Sequence, residues 1–84
     1  MGITDAKKLV GKMCDILWVN RQGNEVQTLS RIYDVTYVPL YGGYVIADSD
    51  DIRLDKIIMV SLVEEDGSTT PIFSKENTQL PIAA

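Results

Sequence analysis

The chain contains no histidine, a single cysteine (Cys14), one tryptophan and one phenylalanine in 84 residues. Without histidine, no side chain with an unperturbed pKa near neutrality is present, so Cys14, Ser30, Ser49 and Ser61 lack the base that activates a thiol or hydroxyl nucleophile. Lys12 or Lys56 in that role requires a buried geometry. A lone cysteine excludes an intrachain disulfide and, with histidine absent, the Cys/His ligand sets of structural zinc. Gly42-Gly43 leads into an apolar run and not into a helix start, so no phosphate-cradling glycine loop is present. The expectation is a protein that is not an enzyme and uses neither metal nor cofactor.

Basic residues are also few: eight against twelve acidic ones, for a net charge of −4. Duplex nucleic acid is bound largely by cations that displace its counterions, so this balance disfavours non-specific nucleic-acid binding. Lys7, Lys8 and Lys12 cluster near the start, where a solvated helix face accounts for them. No apolar run approaches the roughly 20 residues that span a bilayer. The first residues have no charged segment followed by an apolar signal core. A cytoplasmic protein with no membrane partner is expected, and one thiol fits a reducing compartment. A domain of this size buries only about 60 to 65 per cent of its unfolded surface. With neither staple available, self-association into a homo-oligomer is one way to supply the missing burial.

What is present is β-branched and aromatic density between tight breaks. Residues 42–63 hold three apolar runs, Tyr44–Ala47, Ile52–Leu54 and Ile57–Val63, separated by Asp48-Ser49-Asp50-Asp51 and Asp55-Lys56; they read as consecutive short strands. Upstream, Lys12–Asn20 reads as a strand with apolar residues on both parities, as in a strand covered on its second face by a helix or partner. Asp15 interrupts one face and is expected where that strand enters the fold. Asn20–Asn24 supplies a hairpin loop with Gly23 for a positive φ.

Val26, Leu29, Ile32 and Tyr33 recur near helical spacing, which leaves a helix open. The density of Thr28, Ile32, Tyr33, Val35, Thr36, Tyr37 and Val38 favours one long, bent strand, with a bulge near Leu29 and Ser30 to switch its parity. Pro39–Gly43 is a connection. A short helix over Ala6–Val10, capped by Thr4 or Asp5 and ended by Gly11, precedes the strands. After Gly67 the chain reads as a tail in which Pro71-Ile72-Phe73 adds an edge strand or docks, and Leu80-Pro81-Ile82 docks similarly. The expected fold is therefore mainly β: a small SH3-like or Sm-like five-stranded barrel with a short N-terminal helix over residues 1–66, followed by a C-terminal tail, partly docked or disordered, over 67–84.

The acidic group Asp48, Asp50, Asp51 and Asp55 is the densest set of oxygen ligands. Its spacing lacks the glycine and terminal glutamate of a calcium-binding EF-hand loop, and Asp and Ser suit a solvated turn, so no metal is assigned. The aromatic set is Trp18, Tyr33, Tyr37, Tyr41 and Tyr44. Tyr37 and Tyr41 flank Pro39 in an exposed connection, where rings are able to stack on a partner or on bases, or else cover the ends of the core.

The run Asp51-Ile52-Arg53-Leu54-Asp55-Lys56-Ile57 resembles the corresponding end of the bacterial Rho-binding antiterminator (Rof) family, where a similar arginine-leucine-aspartate run precedes the last strand. A looser likeness covers Ile16 to Val26, a strand, a glycine-containing turn and a second strand. Ala6 to Lys12 is basic and lacks the acidic N-terminal segment of that family. The resemblance implies the Rho factor as partner and antitermination as effect. Read from the residues alone, Ile52 and Leu54 share one face while Arg53 points to the other and is placed to pair with Asp51 or Asp55.

The leading expectation is a non-enzymatic module that contacts a protein partner, with Tyr37, Tyr41, Tyr44, Arg53 and Asp55 as the binding residues. Two alternatives stand beside it: a structural barrel that homo-oligomerises through an edge strand such as Ile57–Val63, and an RNA-binding Sm-like barrel.

Overall fold

The computed structural model describes residues 1–48 and 50–75. Seven strands follow one short helix: α1 (Ile3–Lys7), β1 (Met13–Val19), β2 (Glu25–Arg31), β3 (Asp34–Val38), β4 (Gly42–Ile46), β5 (Asp51–Arg53), β6 (Ile57–Val63) and β7 (Thr69–Ser74). They form two antiparallel sheets, one ordered β2-β1-β6-β7 and the other β3-β4-β5. The architecture is mainly β. Among the described residues no strand of one sheet pairs with a strand of the other, so a closed five-stranded barrel is not what the ladders draw. No helix of the described residues is long and apolar enough to cross a membrane.

Alternation builds the core. Cys14 and Ile16 on β1, Val45 on β4, Ile52 on β5 and Ile57 and Val60 on β6 are buried together with Ala6, Leu9, Ile32, Val35 and Leu54. Ile52 and Leu54 do share the buried face, while Arg53 between them is only half-buried. On the opposite face of β1, Met13, Leu17 and Val19 stay half-exposed. The helix joins the core side through Ala6 and leaves that outer face uncovered.

Several details depart from the sequence expectation. The helix covers Ile3–Lys7 instead of Ala6–Val10; Gly2, in extended backbone, is its N-cap, and neither Thr4 nor Asp5 caps it. An extended Gly2 places its carbonyl to accept Ala6 N–H at 3.0 Å, and Ala6, the residue that packs, then falls inside the helix. Gly11 does adopt a positive φ of 86°, at the end of the following turn. The strand over Glu25–Val38 bends, but not through a bulge at Leu29 and Ser30: the β1–β2 register runs unbroken from Met13↔Arg31 to Val19↔Glu25. The parity switch lies at Ile32 and Tyr33, where the chain leaves one sheet for the other, so Ser30 and Ile32 are buried before it and Val35 after it. Gly42 and Gly43 belong to β4, leaving only Pro39, Leu40 and Tyr41 to make the turn.

Ile57–Val63 is not an edge. β6 lies between β1 and β7, and Pro71, Ile72 and Phe73 of β7 occupy the side that an oligomer would have used. Pairing between subunits along β6 is therefore blocked while β7 is in place. Asp15 sits inside β1, not at its entrance, and its carboxylate accepts both bonds of Gln27 Nε2 at 2.9 and 2.8 Å. Leu80-Pro81-Ile82 and Ser49 lie outside the described residues.

Candidate functional site

A cleft of about 700 Å³ opens where the β1–β2 hairpin meets β4, β5 and the 3₁₀ turn Leu54–Lys56. The hairpin loop is fixed by Asn20, whose Oδ1 accepts the backbone N–H of Gln22 and of Asn24, both at 3.0 Å. That loop presents Arg21 to the cleft, and Trp18 enters from the end of β1. The indole is oriented by donation from Nε1 to Thr28 Oγ1 at 2.8 Å. A ring held by one polar bond presents its apolar body at little further entropic cost.

The opposite wall comes from the second sheet. Tyr44 on β4 lies opposite Arg53 on β5, and directly paired residues project from the same face, so both side chains line the cleft. Arg53 Nη2 donates to Asp55 Oδ2 at 2.7 Å. Its Nε is buried, and no described atom accepts from it. Lys56 adds a second cation on this side, and Asp50 and Asp51 add carboxylates.

Of the residues singled out from sequence, Tyr41, Tyr44 and Arg53 come together in this cleft. Tyr37 does not line it: it faces Gly43 across the β3–β4 ladder and is 64% exposed. Asp55 acts through Arg53, whose guanidinium it tethers. Trp18, Arg21 and Lys56 belong to the wall as well, although the final set drawn from sequence left them out; only the position of Trp18 beside a hairpin loop hinted at its place.

The turn between β3 and β4 holds a further residue that the sequence did not reveal. Leu40 is 99% exposed and takes a φ of +76°, the only non-glycine positive φ of the described residues. Left-handed backbone costs a leucine on the order of 1–2 kcal/mol. Its neighbour Tyr41, which lines the cleft, is itself 60% exposed. A strained turn thus sets an apolar side chain fully in water beside an aromatic cleft, where strain and function are commonly associated.

The site offers stacking surface, guanidinium and ammonium donors and carboxylate acceptors. The Cys14 thiol lies outside it, buried on the core side of β1, where desolvation raises its pKa although Lys12 pulls the other way. Among the described residues no cluster of three Cys, Asp or Glu side chains is placed to hold a metal. A second, smaller groove of about 420 Å³ lies between the helix and β7, with Leu9, Leu62, Ile72 and Phe73 as its apolar floor and Lys8 and Lys12 on its rim. No protein-family model, curated protein or solved structure matches this chain.

Proposed function

We propose that this chain is a non-enzymatic protein-binding module that takes a peptide segment of its partner across the Trp18, Tyr41, Tyr44 and Arg53 cleft, with Leu40 as the protruding anchor. The observation that carries the reading is Leu40 itself, a leucine kept at φ +76° and 99% exposed beside a cleft walled by rings. A large apolar group has no folding reason to stand in water on strained backbone. Aromatic and apolar anchors that lose water on contact are what dominate protein interfaces.

The fold we infer behind this site is an SH3-like or Sm-like small barrel whose two halves are the two sheets. Support comes from the chain path: β2 passes into β3 through Ile32 and Tyr33 alone, and β5 passes into β6 through one 3₁₀ turn. These two crossings put the sheets face to face around one buried cluster. The likeness of Asp51–Ile57 to the Rho-binding antiterminator family extends the proposal to the Rho factor as partner, with relief of termination as the effect.

Two measurements test it on the full chain. Capture from lysate by wild type and by the Leu40→Asp variant should differ, with the bound species lost in the variant. In a transcription termination assay, excess wild-type chain should raise read-through at Rho-dependent sites; unchanged termination removes Rho as the partner, and capture untouched by Leu40→Asp removes the site. A second reading is favoured by Arg21, Arg53 and Lys56 beside the rings, since cations and stacking surfaces together bind single-stranded RNA. A salt-dependent shift with oligonucleotides, abolished by Trp18→Ala, identifies that case.

A further inference from the structure

The four edges of the two sheets are treated very differently by the sequence. β7 carries Pro71 and a register break against Val60 and Ser61. β5 is three residues long, and β3 ends at Pro39 with α1 packed against it. Proline, shortness, irregularity and a covering element are the usual devices that keep an edge from recruiting another strand. β2, the remaining edge, has seven residues, no proline, no lysine and an unbroken register.

The backbone of β2 shows which of its groups are open. At one end of the β1–β2 ladder Ile32 N–H donates to Lys12 O, and at the other Asn20 N–H donates to Asn24 O. Bonded and non-bonded pairs alternate in an antiparallel ladder, so Ser30, Thr28 and Val26 bond to β1 while Glu25, Gln27, Leu29 and Arg31 direct their N–H and C=O groups away from it. The Arg31 N–H donates to the Asp48 carboxylate. Glu25, Gln27 and Leu29 therefore form a short open template, and Leu29 is 65% exposed beside it.

We propose that this edge pairs with the same edge of a second copy of the chain, antiparallel about a twofold axis through Gln27. Gln27 then faces the partner's Gln27, and Glu25 faces the partner's Leu29, each opposed pair exchanging both N–H···O bonds. Asp48 ends the ladder by occupying Arg31 N–H. The charges repeat with the same symmetry: Glu25 of one copy falls diagonally beside Arg31 of the other, within reach of long side chains, and the reverse holds across the axis. Arg31 gives one Nη1 bond to Gly11 O and keeps its other donors for that contact. The two four-stranded sheets become one continuous sheet, and the cleft at Trp18 lies on each copy's core side of the strands.

Sedimentation equilibrium of the full chain over a wide dilution series tests the pairing. The mass should rise from 9.3 kDa toward twice that value, and hydrogen-exchange protection of the Glu25, Gln27 and Leu29 amides should rise with it. Leu29→Pro deletes a donor that points away from β1, so it should abolish the dimer and leave the far-ultraviolet circular dichroism unchanged. Leu29→Ala keeps the donor and the dimer. Glu25→Arg should weaken dimerisation several-fold, and Glu25→Arg with Arg31→Glu should restore it, which keeps the test decisive if the proline variant does not fold. A mass that stays at the monomer value throughout, or a dimer indifferent to both Leu29→Pro and Glu25→Arg, overturns the proposal. Capture of a partner through Leu40 is read separately, so the failure of one site leaves the other standing.

Discussion

Gly43 and Leu40 stand three residues apart on the same hairpin and obey opposite rules. A Cβ placed on Gly43 would come within 2.5 Å of Leu54 Cδ1 and 3.7 Å of Ile3 Cδ1, because the 3₁₀ turn and α1 close over β4 at this point. Gly43 keeps ordinary backbone, so packing alone demands the missing side chain. Leu40 has the reverse profile: nothing packs on it, and the backbone it occupies suits glycine. A sequence under selection for stability alone would keep glycine at 43 and place a second glycine at 40. The root of the hairpin is thus set by folding, and its tip is not.

The sharpest way to break this contrast is Gly43→Ala. Overpacking a closed site costs roughly 1–3 kcal/mol, and the denaturation midpoint should fall accordingly. Leu54, only 6% exposed, cannot move aside without disturbing Ile52 and Val45 in the same cluster. Leu54→Ala opens the space, so the cost of Gly43→Ala measured in that background should be much smaller, as expected for groups in contact. Equal costs in both backgrounds would mean that Leu54 is not what excludes a side chain at Gly43.

At the tip the sign reverses. Leu40→Gly relieves the left-handed strain, offset in part by the greater freedom of glycine in the unfolded chain, for a net gain of about 0.5–1 kcal/mol. Thermal or urea unfolding should show the variant as the more stable protein, while partner capture falls. A variant that is less stable than wild type would show that Leu40 makes a folding contact, and the contrast between tip and root would fail.

Much of this contrast was hidden in the sequence for physical reasons. β6 was legible to the residue because Ile57–Val63 is apolar at every position but Ser61 and lies between Lys56 and Glu64, and the hairpin at Asn20–Asn24 because Asn and Gly state their turn chemistry locally. The bend after β2 was sensed through its change of parity but placed at Leu29 instead of Ile32, since either position lets the apolar face switch. Gly42-Gly43 looked like a flexible connection because the reason for Gly43 is Leu54, eleven residues on and silent until the 3₁₀ turn folds over it. The cleft gathers Trp18, Tyr44 and Arg53 from three separate strands, and no local spacing announces such a meeting. The family likeness at Asp51–Ile57 pointed to charges whose visible work is local: Asp55 holds Arg53.

That pair gives a smaller effect with a clear division between stability and binding. Arg53 and Asp55 are both substantially exposed, so their ion pair contributes roughly 0.2–1 kcal/mol. Arg53→Ala also removes a buried Nε that has no described acceptor, and the two effects oppose one another. Unfolding midpoints of Arg53→Ala should stay within about 0.5 kcal/mol of wild type, while capture weakens because the cation facing Tyr44 is gone. A large loss of stability would move Arg53 from the tip's class to the root's.

The finest test concerns the bond between Tyr33 and Asp48 at the base of the β3–β4 hairpin. The Tyr33 hydroxyl donates to the Asp48 carboxylate, which also accepts from Arg31 N–H. Asp48 N–H in turn donates to Ser30 Oγ at 2.8 Å, and Ser30 is buried at the end of β2. Donation from Tyr33, foremost, holds the Asp48 carboxyl below its ordinary pKa, and the same bond pushes the Tyr33 phenol up. For Asp48, a depressed folded value means that its contribution is present above the ordinary carboxylate pKa and is lost as pH falls through the folded one. For Tyr33, a raised folded value means a contribution present below the ordinary phenol pKa and lost as pH rises through the folded one. The stability difference between wild type and Tyr33→Phe should therefore be flat from about pH 5 to 9 and shrink at both extremes. Urea midpoints measured across that range check it. A difference that stays constant into acid would show that Tyr33 stabilises the β3–β4 hairpin by its ring alone, without help from Asp48.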